Sequence, residues 1–356
     1  MATIRELARE SGVSIGAVSR ILNGDPSLSV AEETRQHVWD VAKKMDYQPV
    51  HRKGTRKSQR KTLGIIMTVS PQQETNDPYF MIIREGVERQ AEKMGFIITR
   101  LFRGIESVMA AALEEEPQGF DCLVIIGHLA SAEIEAFFPK VKYVVFVDHR
   151  PQTRKYDSVS LELGHATRNL IDYFCSLNYK KIGFIGGTDC ALPLNGDGSE
   201  EPQPKPEARH TAFCRYMKEL GIFEERYVYQ FEAWTSKTGY ESMKDIMKKG
   251  DLPEAFIVAN DMMAIGALGA LREGGIGIPE DIALASFNDM TAAAYMHPSL
   301  TSVHIYAKEM GEQAIKMLLD QMDGRKYPVS QILPTKLMIR ATTGGQSDSR
   351  YEDYVI

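Results

Sequence analysis

From residue 63 onward, short continuous apolar runs alternate with helically spaced segments, and this alternation restricts the fold more than any other feature of the chain. The runs are 63–69, 96–99, 121–126, 143–147, 181–185, 255–259 and 282–287. Helical periodicity fills 81–93, 161–177, 208–220, 236–248 and 261–273. Strands apolar on both faces must be covered on both faces, so the expected class is α/β with parallel, doubly wound sheets. The length suits two such sheets, with a ligand crevice at the carboxyl ends of their strands. A polar insertion rich in Gly, Pro and Glu, residues 187–206, reads as a surface loop.

The first fifty residues have a different texture. Thr3-x-x-Glu6 and Ser29-x-x-Glu32 are capping boxes, each opening a run with helical spacing. A second helix is expected from the N-cap Ser14, turning Val18, Ile21 and Leu22 inward before Asn23-Gly24 stops it. The third runs from about Val30, with Val38, Val41 and Ala42 on the same small core. Ala8 and Gly12 allow two helices to cross closely through a tight turn, as a helix-turn-helix requires. A three-helix protein-binding module would share this packing. It would not need the polar row Ser14, Ile15, Gly16, Ser19 and Arg20 on the helix that enters a major groove, where Arg20 can offer a bidentate fork to guanine.

Charge divides the chain at the same place. Residues 1–61 hold 12 Lys/Arg against 7 Asp/Glu, whereas the whole chain carries a net charge of −6. Within 49–61 there are Arg52, Lys53, Arg56, Lys57, Arg60 and Lys61 with no acid. A basic head on an acidic body suits a polyanion at one end.

The block Gly12-Val-Ser-x-x-x-Val-Ser-Arg-x-Leu-Asn23, with Tyr47-Gln-Pro49 after it, resembles the head of the lactose/galactose-repressor family of bacterial transcription regulators. The resemblance implies that Ile15 and Gly16 select the operator and that Arg20 reads a base beside them. Ser14, Ser19 and Asn23 complete the expected DNA contacts, with Arg52, Arg56 and Lys57 following in the hinge. The hinge departs from the family pattern. Relatives follow Tyr-x-Pro with Ala-Arg-x-Leu, a short helix that wedges its Leu into the minor groove, whereas 51–61 offers no aliphatic wedge and Gly54 interrupts the helical pattern. The expectation here is a hinge that tracks phosphates by charge.

The body resembles the periplasmic-sugar-binding-like core of the same family. The resemblance rests on Asn76-Asp-Pro-Tyr-Phe80, Lys181-Ile-Gly-Phe-Ile-Gly-Gly187, Val258-Ala-Asn-Asp261 and Asp281-Ile-Ala-Leu-Ala-Ser-Phe-Asn-Asp289. It is closest to the branch of galactose and evolved-β-galactosidase repressors. It implies a head over 1–48, a hinge over 49–61, an effector-binding and dimerisation domain over 62–343 and a polar tail over 344–356. It also divides the body into one lobe of 62–160 plus 304–328 and another of 161–303 plus 329–343. On family positions, Tyr79, Phe80, Asp148, Arg209, Trp234, Asn260 and Asn288 would hold the effector. Planar polar groups with one aromatic face suit a sugar. Taken singly, Asn at a strand end also reads as a helix cap, Trp as a core filler and Asp148 as a turn residue.

Other functions find little support. The four cysteines, 122, 175, 190 and 214, are far apart and read as reduced thiols, and the eight histidines show no metal-ligand spacing. There is no Walker, nucleophile-elbow or zincin motif, and Gly183-Phe-Ile-Gly186-Gly187 lacks dinucleotide-binding spacing. Neither an enzyme nor a cofactor is expected. The charged start and the lack of an 18-residue apolar run point to a cytoplasmic protein without a membrane segment. The leading reading is a repressor that binds a pseudo-palindromic operator as a homodimer and is released by a small sugar. A dimer is expected because the tail lacks the leucine heptads of a tetramer. The rival readings are a sugar-binding protein without gene regulation, and a regulator whose corepressor or protein partner tightens DNA binding. The sign of the switch stays open.

Overall fold

The computed structural model describes residues 3–22, 28, 30–45, 47, 61–104, 107, 119–129, 134, 138–151, 153, 155–191, 203–205 and 207–344. Asn23, Arg52, Arg56 and Lys57 lie outside the described residues, as do most of the polar insertion and the tail beyond Gly344. The chain forms two compact units, Met1–Gln59 and Arg60–Ile356.

The head holds α1 (Ile4–Ser11), α2 (Ile15–Leu22) and α3 (Glu32–Lys44). Thr3 and Glu6 form the expected capping box, and Gly12 closes α1 in the left-handed region at φ 66°. Leu7, Val18, Ile21 and Val38 are buried together, with Ala8, Leu22, Val41 and Ala42 around them. Ser29, where a capping box is expected, lies outside the described residues. Helix α3 starts at Glu32 with Ala31 as an uncapped N-cap, so Glu32 stands at the first helical position and not the third. There Glu32 and Glu33 complement the helix dipole.

The body opens with β1 (Lys61–Met67), α4 (Pro71–Asn76), α5 (Tyr79–Lys93), β2 (Phe96–Arg103), β3 (Cys122–Ile126), β4 (Tyr143–Val147) and β5 (Asp157–Leu161). It continues with α6 (Leu163–Ser176), β6 (Ile182–Gly187), the hairpin strands β7 (Asp189–Ala191) and β8 (Gln203–Lys205), α7 (Ala208–Glu219) and β9 (Val228–Phe231). Then come α8 (Ser236–Lys248), β10 (Ala255–Val258), α9 (Asp261–Glu273), β11 (Ala283–Asn288) and α10 (Thr291–Tyr295). The last elements are β12 (Thr301–Ile305), α11 (Ala307–Met322), β13 (Ser330–Leu333) and β14 (Thr335–Met338).

Two six-stranded sheets result, in the orders β13-β5-β4-β3-β1-β2 and β14-β12-β11-β10-β6-β9. Their described pairings are parallel except for β12 with β14. Strands β1, β3, β4, β6 and β10 are apolar and almost fully buried, as continuous runs require. The chain crosses between lobes at Glu162, Tyr306 and Pro334. The last crossing differs from the expected break at 328/329. Residues 330–333 pair with β5 and so stay in the first lobe, and Pro334, which has no N–H for a ladder, separates them from β14. Likewise His304 and Ile305 remain in the second sheet.

Helices α5 and α11 cross at contact distance through glycines. A Cβ on Gly86 would stand 2.1 Å from the Lys308 carbonyl oxygen, and one on Gly311 2.2 Å from that of Ile83. This packing holds α5 firmly, and α5 carries Tyr79 and Phe80 at its first turn.

Candidate functional site

On the head, Ser14 accepts the Ala17 N–H at 3.3 Å and so starts α2. The polar row expected on DNA is on the surface: Ser14, Ile15, Gly16 and Arg20 are exposed and Ser19 is half-buried. Ile15 is an aliphatic side chain 47% exposed at a helix start. A Cβ on Gly16 would meet nothing within 4 Å, so no packing demand within the head explains a glycine there. Glycine inside a helix costs about 0.5–1 kcal/mol relative to alanine. Its placement on the exposed face is consistent with close approach by an outside surface.

In the body, the carboxyl ends of the two sheets face each other, which two hydrogen bonds between the lobes make plain. Asn260, at the N-cap of α9, donates its Nδ2 to Asp77 Oδ2 across the crevice at 2.8 Å and to the Trp234 carbonyl at 3.2 Å. Its Oδ1 accepts the Met263 N–H, so the cap fixes the amide's orientation. Next to β3, His128 pairs through Nδ1 with Asp189 Oδ1 at 2.9 Å.

Arg209 stands on the second-lobe wall. Its Nε donates to Glu207 at 2.7 Å, and Nη1 donates to the Ala259 carbonyl. The guanidinium lies 4.9 Å from the Trp234 ring centre and 5.5 Å from that of Phe287. Trp234 is itself tied by its indole N–H to the Thr188 carbonyl at 3.1 Å. Opposite, the Tyr79 hydroxyl donates to Asp148 Oδ1 at 2.9 Å, and its backbone N–H donates to Asp77 Oδ1 at 3.1 Å. Burial pushes both Asp77 and Asp148 above the usual carboxylate range. For Asp148 the neighbouring His128, and then for both the hydrogen-bond donors and the Arg209 charge, pull the other way. Burial and the Asp148 charge raise the Tyr79 hydroxyl well above its ordinary value, so it stays a proton donor.

Backbone strain gathers at the same rim. Asp148, Asn288 and Asp289 have φ of 61°, 103° and 49°, a region that side-chain-bearing residues seldom adopt. Two carboxylates, the half-buried Asp289 and the buried Asp261, hold the Asn288–Asp289 corner. Asp289 accepts from His304 at 3.0 Å and from Arg340 at 2.6 Å. Asp261 accepts from Ser286, from Ser302 at 2.7 Å and from the Met290 N–H at 2.6 Å. Burial pushes the Asp261 carboxyl up to about 6 against these three donors.

Comparison with known proteins decides the family. Residues 3–50 match the family described as bacterial regulatory proteins, lacI family, and residues 171–343 match the periplasmic binding protein-like domain. The HTH-type transcriptional repressor MelR of Bacillus subtilis is 36% identical, over 97% of this chain and 98% of its own. The chain belongs to the lacI family. The regulator GalR of Lacticaseibacillus casei is 35% identical, over 96% of this chain and 100% of its own. Two solved structures share the fold: the regulator CelR in complex with cellobiose, and a lac repressor dimer bound to operator and the anti-inducer ONPF. The first has a TM-score of 0.66 at 22% identity, covering 96% of this chain and 100% of that one. The second has a TM-score of 0.65 at 23% identity, covering 96% and 99%.

As a lacI-family member the chain is a sequence-specific DNA-binding transcription regulator. The structure brings Tyr79, Asp148, Arg209, Trp234 and Asn260 into contact with one another or with shared partners. Phe80 is half-buried, edge-on to Tyr79 at 5.1 Å between ring centres. Asn288 lies at the carboxyl end of β11, and its side chain has no hydrogen-bond partner among the described residues. Sequence reasoning missed Asp77, His128, Asp189 and Glu207. Asp77 sits inside a quoted motif, where it reads as a local turn residue before the helix. His128 and Asp189 have no spacing signal, since they meet only through folding, whereas Glu207 lies two residues before Arg209 and caps its helix.

Proposed function

We propose that this chain is a repressor that binds its operator as a homodimer in the cytoplasm and releases it when a small sugar occupies the crevice. The observation that carries the reading is the Asp77–Asn260 hydrogen bond, which joins the two lobes among groups that suit a polyol. Arg209 presents a planar fork beside the Trp234 face, and Asp148 keeps Oδ2 for a ligand hydroxyl. A ligand bridging these walls would change the lobe angle and so the spacing of two heads on their half-sites. Exposed Ile97, Ile98 and Leu101 on the edge strand β2, with Tyr295 on the other lobe, offer apolar surface for a dimer contact. The basic hinge, with Arg52, Arg56 and Lys57, would add phosphate contacts. Ser14, Ile15, Gly16, Ser19, Arg20 and Asn23 would meet the operator.

Calorimetric titration of the full chain against free hexoses and galactosides tests the crevice. Arg209→Lys is the informative variant, because alanine would leave Glu207 as an unpaired buried carboxylate, a loss of about 3–5 kcal/mol. The lysine keeps the charge and loses the fork. At least tenfold weaker sugar binding with unchanged operator affinity is expected. Sugar binding equal to the parent would remove Arg209 from the site.

A further inference from the structure

The crevice is rich in hydrogen-bond acceptors. Asp77 and Asp148 are both tied to Tyr79, one at its backbone N–H and the other at its hydroxyl, so the two carboxylates sit at opposite ends of one buried side chain. Asp189 and Glu207 add two more carboxylates. Among the described residues hydrogen-bonded into this cluster, the one permanent cation is Arg209. Its Nε is held by Glu207 and its Nη1 by a carbonyl, so its charge is already answered within the second lobe. His128 is paired with Asp189.

We infer that Asp77 and Asp148 make the crevice select an uncharged polyhydroxylated ligand and reject its phosphorylated form. The inference rests on the sugar-effector reading and narrows it. An ionised carboxylate only accepts hydrogen bonds, and a sugar hydroxyl can donate one. A phosphate dianion has no proton to give and meets like charge in a water-poor site. One unit of like charge about 6 Å away, at an effective dielectric near 20, weakens binding by roughly a hundredfold. Asn260 strengthens the preference. Its amide is locked by the helix cap and its NH2 group is taken by Asp77 and by the Trp234 carbonyl, so it holds the Asp77 carboxylate in place and has no N–H left for an anion. Asp77 thereby acts as a specificity-determining residue and Asn260 as the residue that positions it.

The test is calorimetry on the full chain with a panel of free hexoses and α- and β-galactosides, each beside its 6-phosphate. Parent protein should bind at least one free sugar and bind its phosphate about 100-fold more weakly. Asp148→Asn keeps an oxygen for the Tyr79 hydroxyl and turns an amide donor toward the ligand. It should shrink the free-to-phosphate ratio at least tenfold, and Asp77→Asn should shrink it in the same direction. A phosphorylated sugar that binds as tightly as its free form, or a ratio unchanged in both variants, overturns the selectivity and leaves the sugar reading standing. Silence from the whole panel overturns the sugar reading and the selectivity with it.

Discussion

Single residues carry two kinds of information here, and the head and the crevice divide them. Gly16 is exposed within α2 with open space where a Cβ would go, and its φ lies outside the left-handed range. Gly16→Ala should therefore stabilise the head by about 0.4–1 kcal/mol in thermal unfolding. The added methyl should also change the preferred operator in a selection from random duplexes. An unchanged preference at every base position would take Gly16 off the DNA-facing surface. In the crevice the reverse holds, because Tyr79, Asp148, Arg209, Trp234 and Asn260 each already have a fixed partner. Asn260, Arg209, Trp234, Asp148 and Tyr79 were legible in sequence through family position. Asp77 was not, because an Asp before Pro-Tyr reads as a local turn, and its bond to Asn260 joins residues 183 positions apart. His128 and Asp189 are likewise 61 apart, with no local signal to connect them.

Among elements, the well-read ones are those whose burial matches their sequence period. Strand β4 and helices α8 and α9 lie where periodicity puts them, and β1, β3, β6, β10 and β11 within two residues of it. Polar strands escape such reading. Strands β5 and β12 carry Ser158, Thr301 and Ser302 buried, each satisfied by hydrogen bonds that no local pattern announces. Helix α11 has an apolar face of Met310, Ala314, Ile315 and Leu318, but it opens at Tyr306 without a side-chain cap, so the start signal is missing. Its contact with α5 makes a sharp prediction. Gly311→Ala puts a Cβ 2.2 Å from a backbone oxygen, which no rotamer change relieves. It should cost about 1–3 kcal/mol in urea unfolding, while Gly324→Ala gives a milder strain control at a surface turn. Stability equal to the parent for Gly311→Ala would mean that the helices can part there at no cost.

At the scale of the whole molecule, the chain carries a DNA-binding head and a body whose two lobes are linked by three chain crossings, with a crevice whose walls already touch at Asp77 and Asn260. The two-sheet plan was legible because apolar strands alternate with helices. The position of the last crossing was not, because Pro334 separates two short strands that join different sheets. Linkage requires that a ligand favouring one lobe angle alter operator affinity by its differential affinity for the two arrangements. The most direct measurement is fluorescence anisotropy of a selected operator bound to the full chain during titration with free galactosides and hexoses. One sugar should raise the operator Kd at least tenfold and saturably, and Arg209→Lys should bind the operator normally but ignore that sugar at the parent's working concentration. Operator affinity unmoved by every sugar in the panel, or a normal response from Arg209→Lys, would contradict the account.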